Sequence, residues 1–163
     1  MATPTDIERL SYGGDKGSIA LGLHRNVIQG TGATRTLLQK ESGSLVLFDR
    51  ATVHTFTLPT PVEGMIFEFL TTVSASGASH KVITHAAGTY IVGGASAVAD
   101  GAVADAFAAV VGDTYIAITS NATTTGGYAG QNIRLVGLSA TLWSVSMIQS
   151  CPSGTPATPF ATS

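Results

Sequence analysis

GSLVLFDRATVHTFTLPTPVEGMIFEFL, residues 43–70, decides how this chain folds. Short apolar runs rich in β-branched and aromatic residues are separated by Asp-Arg, by Leu-Pro-Thr-Pro and by a glycine, a texture of strands and bends rather than of helix. Within GMIFEFL, Met65, Phe67 and Phe69 share one face and Ile66, Glu68 and Leu70 the other, because successive side chains of a strand point to opposite sides. The first face is expected to line a core, with Phe56 and Leu58 of the preceding run. Pro59 and Pro61 have no amide to donate and stop one strand; Gly64 lets the next begin.

The same texture continues outward in both directions. Strands are expected over 34–39, 44–48, 53–58, 64–73, 80–85, 89–93, 113–119, 132–138 and 141–148. In TLWSVSM, Trp143, Val145 and Met147 point one way and Ser144 and Ser146 the other, as in a half-buried antiparallel strand. One stretch departs from the pattern. In SAVADGAVADAFAAVVG, residues 96–112, the alanine content favours helix, with Ser96 or Asp100 as a cap and Gly112 as a stop, so a short helix or an irregular Ala-rich crossing is expected there.

Many short strands with turn signals between them indicate an all-β fold, a β-sandwich of jelly-roll type, rather than a parallel α/β sheet. Three segments are expected within a single domain-sized chain of 163 residues. Residues 1–32, where the glycine-rich SYGGDKGS and QGTGAT flank IALGLH, read as an extended N-terminal arm; 33–150 form the sandwich; 151–163, CPSGTPATPFATS, carry three prolines and should lie extended over a surface.

Charge narrows the function. Eight basic and ten acidic residues leave a net charge of -2, which gives no electrostatic reason to bind nucleic acid. Only 11% of residues are charged, and after Arg50 the sole lysine and arginine are Lys81 and Arg134. An ordinary soluble surface carries roughly 25–35% charged residues. A surface this neutral either relies on the hydroxyls of its Ser and Thr residues or belongs to a subunit covered by other chains. No apolar run reaches the roughly 18 residues of a membrane helix, so no membrane partner is expected. The opening MATPTDIERLSYGG lacks a basic segment followed by an apolar one, so maturation in a reducing cytoplasm is expected, with the single Cys151 a buried or half-buried free thiol.

Candidate chemistry is sparse. His54, His80 and His85, with Glu63 and Glu68, are the metal-ligand types of the β region, but His80 and His85 are five apart, on opposite faces of a continuous strand, and no His-x-His occurs. No serine sits in a Gly-x-Ser-x-Gly elbow, and GTGATR, residues 30–35, lacks the last glycine of a dinucleotide fingerprint. Asp100, Asp105 and Asp113 fall at expected helix or turn edges rather than as a facing pair of carboxylates. Neither enzyme activity nor a cofactor is expected. NATTTGGYAGQN, residues 121–132, reads as a long mobile turn whose glycines supply positive φ.

ESGSLVLFDRATVHTFTLPTPVEGMIFEFL, followed by ASHKVITHAAGTYIVGG, by NATTTGGYAGQNIRLVGLSATLWSVSM and by SGTPATPF, resembles in its order of motifs the capsid decoration (cement) proteins of tailed bacteriophages. The resemblance covers residues 34–160 and implies a non-enzymatic virion protein, made in the host cytoplasm. Such a protein binds the outer surface of the capsid as a homotrimer and stabilises the major capsid protein lattice. Alongside that resemblance, the N-terminal arm is expected to contact the capsid through Arg9, Tyr12, Lys16, Leu21, Leu23, Arg25 and Arg35. The alternative is a head- or tail-fibre-type module binding a host receptor or glycan, with Tyr128 or the surface around Tyr90 stacking on a sugar.

Overall fold

The computed structural model describes residues 25–30, 32–76, 79–99, 104–152 and 155–163. Among them the chain is nearly all β. Twelve strands run as β1 (Val27–Gln29), β2 (Thr34–Thr36), β3 (Leu45–Phe48), β4 (His54–Thr57), β5 (Ile66–Thr71), β6 (His80–Ile83), β7 (Tyr90–Ala99), β8 (Asp105–Ala109), β9 (Ala117–Ser120), β10 (Asn132–Ser139), β11 (Leu142–Cys151) and β12 (Phe160–Ala161). The only helical piece described is a single 3-10 turn, Gln39–Glu41.

The strands form two mixed sheets, one of seven in the order β1-β3-β5-β10-β11-β7-β8 and one of five in the order β12-β9-β6-β4-β2. From β1 to β6 the chain alternates between them. Strands β1, β3 and β5 lie side by side and parallel in the larger sheet, while β2, β4 and β6 do the same in the smaller. A parallel neighbour cannot be reached through a hairpin, so the chain must cross before it returns. Here each crossing is itself a strand of the other sheet, and the first half of the molecule is a flattened coil. The second half closes it with antiparallel pairs, β10 against β5 and β11, and β9 against β6. The Trp143 strand, β11, is thus antiparallel to β10 on one side but parallel to β7 on the other.

One core serves both sheets. Register aligns Ile28, Val46, Phe69, Ile133 and Met147 across the inner face of the larger sheet, and Phe56, Val82, Ile118 and Phe160 across that of the smaller. All nine are buried. Phe48 and Phe69 meet Phe56 edge-on at 5.3 and 5.8 Å between ring centroids, and such pairs contribute about 0.5–1.5 kcal/mol each beyond the area they bury. Leu58, Met65, Phe67, Trp143 and Val145 also belong to this core. Pro59 and Pro61 are buried in the bend after β4, and Gly64 takes φ 80° where the chain turns into β5.

Where a short helix or an irregular Ala-rich crossing was expected over 96–112, the described residues form strands and no helix. Tyr90–Ala99 is a ten-residue strand and Asp105–Ala109 returns antiparallel to it, with Ala97 opposite Asp105; Asp100 lies outside the described residues. Packing overrides propensity for a visible reason. Ala95 and Ala97 are buried at period two while Ser96 and Val98 are exposed, the pattern of a half-buried strand, and the ladder to β11 satisfies its backbone. At Gly93, φ is 127° and any Cβ would collide with the Val145 carbonyl.

The outer segments also carry strands. Val27–Gln29, at the end of the expected arm, pairs with β3 and buries Ile28; Cys151 belongs to β11, and Phe160–Ala161 is an edge strand on β9.

Candidate functional site

The outer faces of the two sheets follow from register. On the larger sheet one row reads Val27, Leu45, Glu68, Arg134, Ser146, Gly94 and Ala108, and the next reads Gln29, Leu47, Leu70, Asn132, Ile148, Ser96 and Ala106. Across seven strands these rows hold only two charged residues. The alkyl side chains of Val27, Val98 and Ile148 are more than half exposed. On the smaller sheet the outward rows read Thr34, Thr55, Lys81, Thr119 and Thr36, Thr57, Ile83, Ala117, a hydroxyl-rich surface with one cation.

The charges on the larger face are tied to each other. The Arg25 guanidinium donates to the Glu68 carboxylate, whose other oxygen lies 3.6 Å from Arg134 Nε. Arg35 sits at the end of the inner row of the smaller sheet, where it donates to the Glu41 carboxylate at 2.7 Å and to the Gln29 carbonyl at 3.1 Å. Of the three arginines assigned to the arm, Arg25 and Arg35 are therefore paired within the chain. Arg9, Tyr12, Lys16, Leu21 and Leu23 lie outside the described residues.

The histidines separate into two kinds. His85 is exposed beyond the end of β6, whereas His54 and His80 are opposite one another on β4 and β6 and point inward, 0% and 1% exposed. Burial, aided by the neighbouring Arg50 and His80 and opposed by Asp49, pushes His54 down to about 4; burial also lowers His80, against its bond to the Arg50 backbone. Both are neutral at pH 7. Among the described residues no group of three or more His, Cys, Asp or Glu is placed to hold a metal ion.

Of residues 121–132, expected as a long mobile turn, 121–131 form a tightly bonded loop and Asn132 begins β10. Asn121 Oδ1 accepts from the amides of Thr123, Thr124 and Thr125 at 2.9–3.0 Å, and Gln131, buried beneath, donates to Ser120 Oγ at 2.8 Å. Gly126, Gly127 and Gly130 do take positive φ. Cys151 is buried with its thiol directed at the Thr124 carbonyl, and burial raises its pKa. Tyr90 and Tyr128 are half-buried.

Register, not local pattern, assembles the outer face. Leu70 and Ile148 share it because both stand opposite Asn132 of β10, Val98 joins them because β7 is a strand paired with β11, and His54 meets His80 because β4 and β6 pair in register. The alternations in VHTF and SHKV were the available signals, but they do not say which strands pair. No helix described is long and apolar enough to cross a membrane, which leaves β-barrel spans unaddressed. No protein-family model matches the chain, and neither a curated protein nor a solved structure matches it.

Proposed function

We propose that this chain is a non-enzymatic structural protein of a tailed-bacteriophage virion. It is made in the host cytoplasm, assembles as a homotrimer, and binds the outside of the capsid to stabilise the lattice of the major capsid protein. The two sheets enclosing one core would make it a β-sandwich decoration domain; the parallel coil of β1–β6 distinguishes its winding from a jelly roll built of antiparallel hairpins. The observation that carries the reading is the outer face of the larger sheet, where Val27, Val98 and Ile148 stand exposed among Ser, Ala and Gly and, among the described residues, the only charges are the Arg25, Glu68 and Arg134 cluster. Charge is depleted where protein surfaces are fully covered, because its desolvation is costly, and alkyl area removed from water contributes about 25 cal/mol per Å2 without any reacting group.

Adhesion by that face predicts a direct result. Purified protein should co-sediment with capsids prepared without it, and Ile148→Lys, which adds a charge where the side chain is exposed and so should leave the fold intact, should weaken binding at least tenfold. Failure of the unaltered protein to bind, together with hits on a glycan array, would replace this reading with receptor or glycan binding.

A further inference from the structure

Two buried imidazoles have no place in an adhesive surface. They stand at the end of the core where β1 and β2 begin the coil. Phe48 stacks on His80 with centroids 4.7 Å apart and planes 3° from parallel, and Phe56 lies 4.4 Å from the His54 ring. His80 Nε2 donates to the Arg50 carbonyl at 2.9 Å, which fixes its tautomer and leaves Nδ1 without a partner. Among the described residues, neither ring nitrogen of His54 has a hydrogen-bond partner. Its Nε2 faces Gly30, in the connection between β1 and β2, so closely that a methyl group at position 30 would collide with it. Arg50 holds the same connection by donating to the Gly30 carbonyl at 2.8 Å.

We propose that His54 and His80 form an acid-sensitive latch: neutral, they hold the β1–β2 end of the molecule closed, and protonation releases that end ahead of the rest of the fold. The surrounding groups favour this outcome. From the β3–β4 connection, Arg50 faces His54 with like charge once the ring is protonated, and Asp49, whose Oδ1 is 3.7 Å from His54 Nδ1, is the only anion in reach among the described residues. From β6 the facing group is His80, itself a second cation in acid; from β9 it is the uncharged Ser120, opposite His80; from the β1–β2 connection it is the Gly30 backbone. A buried cation without adequate pairing is costly, and the cheapest way to hydrate it is to move the covering segment. That segment is held by two ladders of three residues each, at the edges of both sheets.

The latch is a property of the fold and its test does not depend on capsid binding. Amide hydrogen exchange of the full chain at pH 7 and pH 4, corrected for intrinsic rates, should show strands β1 and β2 losing protection on the order of a hundredfold in acid while β10 and β11 keep theirs. In His54→Leu, β1 and β2 should stay protected at pH 4. Equal protection at both pH values, simultaneous opening of β10 and β11, or an unchanged acid response in His54→Leu would each overturn the proposal. The imidazole C2-hydrogen exchange of the unaltered protein gives an independent reading: midpoints for His54 and His80 below 6.5 support the latch, and ordinary midpoints refute it.

Discussion

Glycine and histidine show how much single residues decide here. Gly93 lies mid-strand at φ 127° against the Val145 carbonyl, so Gly93→Ala should destabilise the protein by roughly 1–3 kcal/mol or more, read by denaturant unfolding. Phe56→Ala, at the meeting point of Phe48, His54 and Phe69, should cost about 3–5 kcal/mol in the same assay. Protonation has a definite sign. Folding lowers His54 from 6.5 to about 4, so the unfolded chain binds more protons in that window. Its contribution to stability is full above 6.5, falls as pH drops, and is exhausted below about 4. Thermal melts should therefore drop steadily across that window and flatten in His54→Leu; a melting temperature constant from pH 7 to 4 would contradict this. The inward set Met65, Phe67, Phe69, Trp143 and Val145 was legible because each lies on a strand with clean alternation. The burial of His54 was not, since nothing in TVHTFT says that Gly30 of the β1–β2 connection will cover the ring.

Elements were legible where β-branched and aromatic residues alternate and illegible where alanine does. Residues 96–112 carry helix-forming composition, yet the period-two burial of Ala95 and Ala97 beside β11 makes β7 a ten-residue strand. The order of strands could not be read at all from local pattern. Hairpin pairing is a local event, whereas the parallel ladders of β1, β3 and β5 join segments separated by a full turn of the coil. That arrangement has a measurable consequence. Strands β10 and β11, each flanked on both sides, should be the slowest to exchange their amides, and β1, β2 and β12, at sheet edges and two or three residues long, the fastest. Fast exchange in β11 with slow exchange in β1 would show that the two-sheet order is wrong.

For the whole molecule, low charge was visible in the composition, but only the register shows that the neutral residues collect into a face seven strands wide. The described end of the arm also redraws a boundary. Ile28 is buried in the larger sheet, so a deletion that tests the arm must stop at residue 24 to spare the fold. Deleting residues 1–24 should leave the cooperative unfolding transition in place and abolish capsid binding; undiminished binding would remove the arm from the interface. Light scattering on the purified protein should give three times the mass of one chain. The central claim is that the neutral face of the larger sheet lies against capsid subunits, and imaging of intact particles at subunit resolution tests it most directly. The account predicts density for this protein on the outer shell where major capsid subunits meet, with Val27, Val98 and Ile148 turned into the contact; a shell without that density, or that face open to solvent, would contradict it.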